Sequence, residues 1–172
     1  GGLTERPPRK PLIAAVEGWA LAGGFELALA CDLVVAGQSA RFGVPEVKRS
    51  LVAGGGAALR LPERVGLTLA MELLLTGDQI SAERAAQIGL VNRVVPAGTA
   101  LDAALELAAV IAANGPLAVQ ATKAVALNAS DWSGEERWDR QREITDPVFA
   151  SQDAREGAAA FGEKRAPVWQ GR

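Results

Sequence analysis

Two glutamates beside glycine-rich turns are the residues whose types and spacing could do chemistry. Glu26 follows Gly23 and Gly24, where a short apolar run gives way to the helix-favouring segment FELALACD. Free backbone N–H groups at a helix start can stabilise an oxyanion, and Glu26 would lie beside them, one turn along. The same residues also fit a tight turn followed by a helix-stabilising acid. This segment alone leaves both interpretations open.

The second glutamate, Glu46, follows Pro45 at another predicted helix start, twenty residues after Glu26. By itself Glu46 is typical of a solvated acid. The glycines at 54–56 indicate a flexible loop, but neither GxGxxG nor Gly-Lys-Ser/Thr occurs there. We therefore set nucleotide binding aside.

Composition limits the chemistry further. The 172 residues carry a net charge of −2, with no histidine and one cysteine, Cys31. These counts exclude Ser-His-Asp, Cys-His and His-ligated zinc mechanisms and disfavour nucleic-acid binding. The apolar runs are far shorter than the ~20 residues of a membrane span, and the polar, basic start has no signal-peptide pattern. We expect a cytoplasmic protein without metal or membrane partners.

The order of elements indicates an α/β region followed by an almost entirely helical one. A buried strand, a glycine turn, a helix and a second buried strand are typical of a parallel sheet with crossover helices. We therefore predict two regions, residues 1–98 and 99–172. The expected strands are 12–16, 32–36, 40–42 and 91–95; after the helix at Gly24, the expected helices are 62–75, 81–88, 99–113, 116–128, 133–150 and 152–163.

Several ordered segments resemble the crotonase superfamily, the enoyl-CoA hydratases and isomerases. The most informative are KPLIAAVEGWALAGGFELALACD at 10–32 and ARFGVPEVKRSLVAGGG at 40–56. The resemblance continues through TGDQISAERAAQIGLVNRVVP, ANGPLAVQATKAV and SQDAREGAAAFGEKRAPVW. It implies an α/β fold: a ClpP-like ββα spiral followed by a helical trimerisation region, with homotrimers often paired into hexamers.

The resemblance also implies an acyl-CoA site. Family members hold a thioester enolate with two backbone N–H groups, one of which matches Gly23, and hydratases carry two glutamates that match Glu26 and Glu46. Gly54 matches a glycine beside the catalytic water. Three residues around the signature turn are substrate-binding candidates, Trp19, Leu21 and Ala22, although packing suits Trp19 equally well.

Phe161 and Lys164 match the last helix, which reaches the coenzyme A of a neighbouring subunit. Lys164 fits a solvated terminal charge equally well. Coenzyme A is part of the substrate, so no separate cofactor is expected. Ala22 stands where many members have a third glycine, and Ala53 where some have proline.

The chain does not begin with Met, and the family's N-terminal half, with the other oxyanion donor, has no counterpart in it. We interpret the chain as part of a longer protein, or as processed or incomplete, and expect the 172 residues alone to be inactive.

Both glutamates favour hydration over isomerisation. Adding water across a 2,3-enoyl thioester requires a base, an acid and a hole for the enolate oxygen, whereas isomerases usually keep only the second glutamate. Two alternatives stay open: a double-bond isomerase or other enolate-forming member, and a non-catalytic member that only binds acyl-CoA or assembles. Elsewhere we expect Cys31 to be a buried apolar residue, and residues 134–143 to form a solvated helix face with charge pairs.

Overall fold

Across residues 2–172, the part of the chain that this computed structural model describes, the backbone forms six strands and eight α-helices. The residues separate into two compact units, residues 2–8 with 12–108 and residues 9–11 with 109–172. The first nine residues of the helix that starts at Ala100 belong to the first unit, because Ala100 and Ala104 pack against Val35. The unit boundary therefore lies ten residues beyond position 98.

The strands of the first unit form two three-stranded sheets. One sheet has the order β1-β3-β6 and is parallel throughout; the other has the order β2-β4-β5, with β2 parallel to β4 and β4 antiparallel to β5. The strands are β1 (Ile13–Val16), β2 (Trp19–Leu21), β3 (Leu33–Gly37), β4 (Arg41–Gly43), β5 (Ile80–Ser81) and β6 (Arg93–Val95). Consecutive strands thus alternate between sheets up to β4, with Gly18 at φ 79° where the chain leaves the first sheet for the second.

Serine side chains cap the starts of two helices. Ser81 caps its helix by accepting from Arg84 N, and Ser151 does the same from Ala154 N. The helices are α1 (Gly23–Ala30), α2 (Ala57–Val65), α3 (Leu67–Thr76), α4 (Ala82–Gln87), α5 (Ala100–Ala112), α6 (Pro116–Asn128), α7 (Arg137–Phe149) and α8 (Gln152–Glu163). A 3-10 helix spans Pro45–Arg49 and another spans Ala129–Asp131.

Two expectations about elements were wrong. The single helix predicted at 62–75 is two helices, because Gly66 adopts φ 79° and ends α2, while Pro62 lies inside α2 rather than at a start. The helix predicted from 133 begins at Arg137, because Ser133 Oγ instead accepts from Glu136 N and closes a turn. The strands β2 and β5 were not predicted; they are only three and two residues long.

The core of the first unit joins α1 to the second sheet. Phe25 and Phe42 pack with ring centroids 5.4 Å apart, and Leu29, Val44 and Leu61 are fully buried around them. Burying a phenylalanine side chain contributes about 1.5–3 kcal/mol. This packing fixes α1 on the sheet whose strands lead into the glutamate-bearing segments.

The turn from β2 into α1 is conformationally strained. Ala22 has φ 50° and ψ −128°, a combination that glycine adopts easily and other residues rarely do. Its N–H donates to Gly43 O at 2.9 Å, and its carbonyl accepts from Phe25 N at 2.9 Å and Glu26 N at 3.0 Å. These three hydrogen bonds hold the strained residue in place.

The second unit is closed by its C-terminal segment. Asp153, which is buried, accepts from Gln170 N at 2.7 Å and Gly171 N at 2.9 Å. Trp169 Nε1 donates to Ala113 O at 2.8 Å. Glu156 accepts from both Arg165 and Val168 N, so the segment after α8 is bound along that helix.

The solvated face predicted at 134–143 is confirmed by exposed charge pairs along α7, in which Arg140 lies 3.4 Å from Glu143 and Arg142 pairs with Asp139. No single helix in residues 2–172 is long and apolar enough to cross a membrane; Ala100–Ala112 and Pro116–Asp131 reach that length and composition only when taken together, across a bend.

Replacing Ala22 with glycine should raise the free energy of unfolding by about 1 kcal/mol, because the strain at positive φ is removed. Urea denaturation measures the change. Ala58→Gly, on an exposed position of α2, is the matched control and should lower stability by about 0.5–1 kcal/mol. If Ala22→Gly lost as much stability as the control, the backbone of Ala22 would not be strained.

The contacts of Glu156 predict an acid titration of the C-terminal segment. Two hydrogen bonds lower the pKa of Glu156 from 4.5 to about 2. The larger effect comes from the Arg165 side chain, and the smaller one from Val168 N. Because this pKa is depressed on folding, the stabilisation is complete above pH 4.5 and is lost as the pH falls through about 2. The Val168 amide resonance should therefore titrate near pH 2.

Glu156→Gln should abolish that titration, whereas Glu163→Gln, which removes a contact to Arg165 Nε alone, should keep it. A Val168 midpoint near pH 4.5 in the parent chain would show that the Glu156 contacts are absent in solution.

Candidate active site

Two parallel strands bring the candidate segments to one edge of the second sheet. Leu21, the last residue of β2, pairs with Gly43, the last residue of β4. Because parallel strands end at the same edge, α1 and the 3-10 helix at Pro45–Arg49 both start there. The Ala22–Gly43 hydrogen bond joins the two chain segments directly. Gly23 and Glu46 are therefore placed at one edge by topology.

The start of α1 presents two free donors. Phe25 and Glu26 donate to Ala22 O, but the N–H groups of Gly23 and Gly24 have no partner in residues 2–172. Both glycines are exposed, and no other atom lies within 4 Å of the position that a β-carbon would take at either one. The site beside Gly23 is thus open, and amides at a helix N-terminus favour a negatively charged oxygen.

Glu26 is held firmly in the interior. Glu26 is 5% exposed. Its Oε1 accepts a hydrogen bond, 3.1 Å long, from the backbone N–H of Ala57, which is the first residue of α2. The sequence analysis missed Ala57, since nothing in the local pattern links two positions 31 residues apart. The sequence alone also allowed Glu26 to be a helix-stabilising acid in the first turn of α1. In the structure it is a buried carboxyl group with a fixed orientation.

Glu46 differs from Glu26 in its hydrogen bonding. It lies half-buried in the predicted helical turn after Pro45, where its backbone carbonyl accepts from Leu51 N at 3.1 Å. Its Oε2 is buried and has no hydrogen-bond partner in the described residues. Buried polar atoms without partners are rare in native proteins. The part of Glu46 in a site stays a prediction.

The two helices that carry and contact Glu26 cap each other. Glu26 meets the start of α2, and Arg64 Nη2, near the end of α2, donates to Leu29 O at 3.0 Å and Cys31 O at 2.8 Å. Burial lowers the pKa of Arg64, and the nearby charge of Arg60 lowers it further. Cys31 is buried, as predicted. Arg64 therefore joins the end of α2 to the end of α1, a contact that the sequence did not predict.

The substrate-binding candidates separate into two groups. Trp19, Leu21 and Ala22 lie in β2 and its turn, adjacent in the chain to Gly23, and Trp19 is 70% exposed. Whether Trp19 binds substrate or packs stays a prediction. Gly54 is also exposed, in the turn before α2. Their part in substrate binding also stays a prediction.

Phe161 and Lys164 belong to the second unit. Phe161 is 87% exposed on α8, and Lys164 ends that helix in the left-handed region at φ 56°. Their part in a site stays a prediction. Among residues 2–172 no cluster of three or more cysteine, aspartate or glutamate side chains has an arrangement that could hold a metal ion.

Comparisons with known proteins agree with this fold and these segments. The family model described as enoyl-CoA hydratase/isomerase matches residues 6–172. The chain is 51% identical over 170 residues to the enoyl-CoA hydratase EchA19 of Mycobacterium tuberculosis, covering 99% of this chain and 64% of that protein. It is 43% identical to the 2,3-dehydroadipyl-CoA hydratase of Escherichia coli, covering 95% of this chain and 64% of that one.

A crystal structure of an enoyl-CoA hydratase from Mycobacterium tuberculosis superposes with a TM-score of 0.97 at 61% identity, covering 98% of this chain and 67% of that chain. The α/β crotonase fold expected from the sequence is thereby confirmed. The chain spans 64% of the length of the two hydratases above. On its sequence and its fold, the chain belongs to the enoyl-CoA hydratase/isomerase family.

Proposed function

We propose that the protein hydrates the 2,3 double bond of an enoyl-CoA thioester. The observation that supports this proposal is that α1, with Glu26 and two amides that have no partner in residues 2–172, and the helical turn with Glu46 both start where β2 and β4 end. An enolate mechanism requires this set: donors for the thioester oxygen, and carboxyl groups for water and for the α-carbon.

The Gly23 N–H is the proposed donor to the thioester oxygen. When water adds at C3, the electrons of the double bond move towards the carbonyl, and negative charge develops on its oxygen. A fixed amide at a helix start stabilises that charge without reorganising. The open space around Gly23 and Gly24 gives the thioester room to approach.

Glu26 and Glu46 together supply the proton transfers. One carboxylate takes a proton from water, whose oxygen bonds to C3, and the other carboxyl group gives a proton to C2, so that water is added overall. The hydrogen bond from Ala57 N orients Glu26. Glu46 Oε2 has no hydrogen-bond partner among residues 2–172, which leaves its bonding capacity for a proton or for the reacting water. A single-glutamate isomerase would not require both groups.

The substrate class and the assembly follow from the family. We assign Trp19, Leu21, Ala22 and Gly54 to the acyl and water side of the site, with coenzyme A as part of the substrate rather than a separate cofactor. Phe161 and Lys164 are proposed to reach the coenzyme A of a neighbouring subunit in a homotrimer or hexamer. Exposed apolar side chains on the C-terminal helices suit such contacts; they include Leu105, Val110, Trp138 and Phe149.

Incubating the protein expressed from its complete gene with crotonyl-CoA tests the proposal. Loss of the enoyl absorbance, with 3-hydroxybutyryl-CoA as product, is the expected result. Binding without turnover would indicate a non-catalytic acyl-CoA binder. Turnover of a 3-enoyl-CoA alone would indicate an isomerase. Both outcomes overturn the hydratase proposal.

Glu26→Gln and Glu46→Gln should each lower kcat for crotonyl-CoA hydration by at least ~10²-fold, the usual effect of removing a general acid or base. Substrate affinity should change much less, since the amide keeps the shape of the side chain. Glu72→Gln, an exposed position on α3, serves as the control and should leave kcat unchanged. Near-normal turnover in either active-site variant would remove that glutamate from the mechanism.

A further inference from the structure

We propose that Gly77, the residue after α3, is a positioning residue for Glu46, because its turn packs backbone against backbone on the segment that carries that glutamate. The functional part of this inference rests on the proposed hydratase activity. Gly77 lies in one of the segments that resemble the family, but no role followed for it from that resemblance.

The turn that follows α3 is fixed by its own hydrogen bonds. Gly77 has φ 65°, and its N–H donates to Leu73 O at 3.2 Å. Thr76 Oγ1 donates to Glu72 O at 2.7 Å and accepts from Asp78 N at 3.1 Å. One threonine hydroxyl thus links the last turn of α3 to the residue after the glycine. This turn therefore has little freedom to move away from a neighbouring segment.

The Gly77 turn and the Glu46 segment approach each other through backbone atoms. A β-carbon at Gly77 would lie 3.2 Å from the Cα atom of Pro45, the residue before Glu46. A β-carbon at Gly43, where β4 leads into the same segment, would lie 3.2 Å from Asp78 O. Both glycines are buried. One glycine on each segment therefore allows this close approach.

Only part of this contact can yield when a side chain is added at position 77. The new β-carbon would also meet Cγ and Cε of Lys48, each at 3.2 Å. These carbons belong to an exposed, flexible side chain that pairs with Asp78, so they can move aside. Pro45 Cα cannot move without the peptide that leads into Glu46. Because 3.2 Å is a few tenths of an ångström too short, the Glu46 segment has to shift by about that amount.

Such a shift reaches the carboxyl group of Glu46. No hydrogen bond fixes Glu46 Oε2 within residues 2–172, so its place is set by the backbone that carries it. Misplacing a catalytic group by about 1 Å can lower a rate by about 10²-fold, so a few tenths of that distance should lower kcat by about five- to tenfold. Gly77 thus affects the reaction through the backbone of Glu46.

The carboxyl resonance of Glu46 tests this contact without turnover. Gly77→Ala adds only a β-carbon. Gly89→Ala is the matched control, because Gly89 also has a positive φ, 83°, but no other atom lies within 4 Å of the position its β-carbon would take. Both variants therefore bear the cost of a side chain in the left-handed region, and only one of them meets a neighbour.

The experiment uses the protein from the complete gene with ¹³C-labelled glutamate, and the Glu46 carboxyl signal is identified by its absence in Glu46→Gln. The signal should move in Gly77→Ala and coincide with that of the parent protein in Gly89→Ala. An unmoved signal in Gly77→Ala, or an equal shift in Gly89→Ala, would overturn the proposal. If Gly77→Ala does not fold, Gly77→Asn and Gly89→Asn replace the pair, since asparagine adopts the left-handed region more readily.

A double-mutant cycle separates positioning from general destabilisation. For crotonyl-CoA, Gly77→Ala should lower kcat by about five- to tenfold with KM nearly unchanged, whereas Gly89→Ala should leave kcat unchanged. In the Glu46→Gln background, where the carboxylate is already absent, Gly77→Ala should lower kcat less than about twofold. Equal losses in both backgrounds would show a merely structural role and overturn the inference. Absence of turnover in the parent protein would instead overturn the proposed function, while the Glu46 signal still decides the contact.

Discussion

Ala22 turns the chain from β2 into α1 while its N–H is bonded to Gly43 O at the end of β4. This hydrogen bond joins the ends of two parallel strands, and at Ala22, with its positive φ, the chain passes from β2 into α1. Three features depend on this bonded turn. They are the open amides of Gly23 and Gly24, the first helical turn that carries Glu26, and the helical turn that carries Glu46. The strain at Ala22 is tolerated because its backbone is held on both sides, as is common where strain serves a site.

The structure supports the two glutamates in different ways. Glu26 is buried and oriented by the start of α2, while Arg64, near the other end of α2, donates to carbonyls at the end of α1. Sites carried on helices that cap each other are held more closely than sites on loops. Glu46, by contrast, has one buried oxygen without a hydrogen-bond partner in residues 2–172. One carboxyl group is therefore oriented by a backbone amide, whereas the buried oxygen of the other has no such contact within the described residues.

Local signals in the sequence predicted much of this arrangement. The bounds of α6 and α8 agree with the prediction; in the structure Pro116 is the first residue of α6, and Ser151 caps α8. The glycine turn before Glu26 and the proline before Glu46 likewise predicted two helix starts. The sequence could not show that Glu26 is buried against Ala57, because that contact joins positions 31 residues apart. It also missed the break at Gly66, since apolar periodicity continues across the glycine, and β2, since three residues are too few to show a period.

We propose that the amides at the start of α1 polarise a thioester carbonyl. The infrared stretching frequency of that carbonyl is the most direct test. With a ¹³C-labelled acyl-CoA bound to the protein from the complete gene, the carbonyl band should move to lower frequency than in solution, because the donors withdraw electron density from the C=O bond. The shift should persist in Glu46→Gln, which leaves the amides of Gly23 and Gly24 intact. A bound carbonyl that absorbs at its solution frequency would contradict the account.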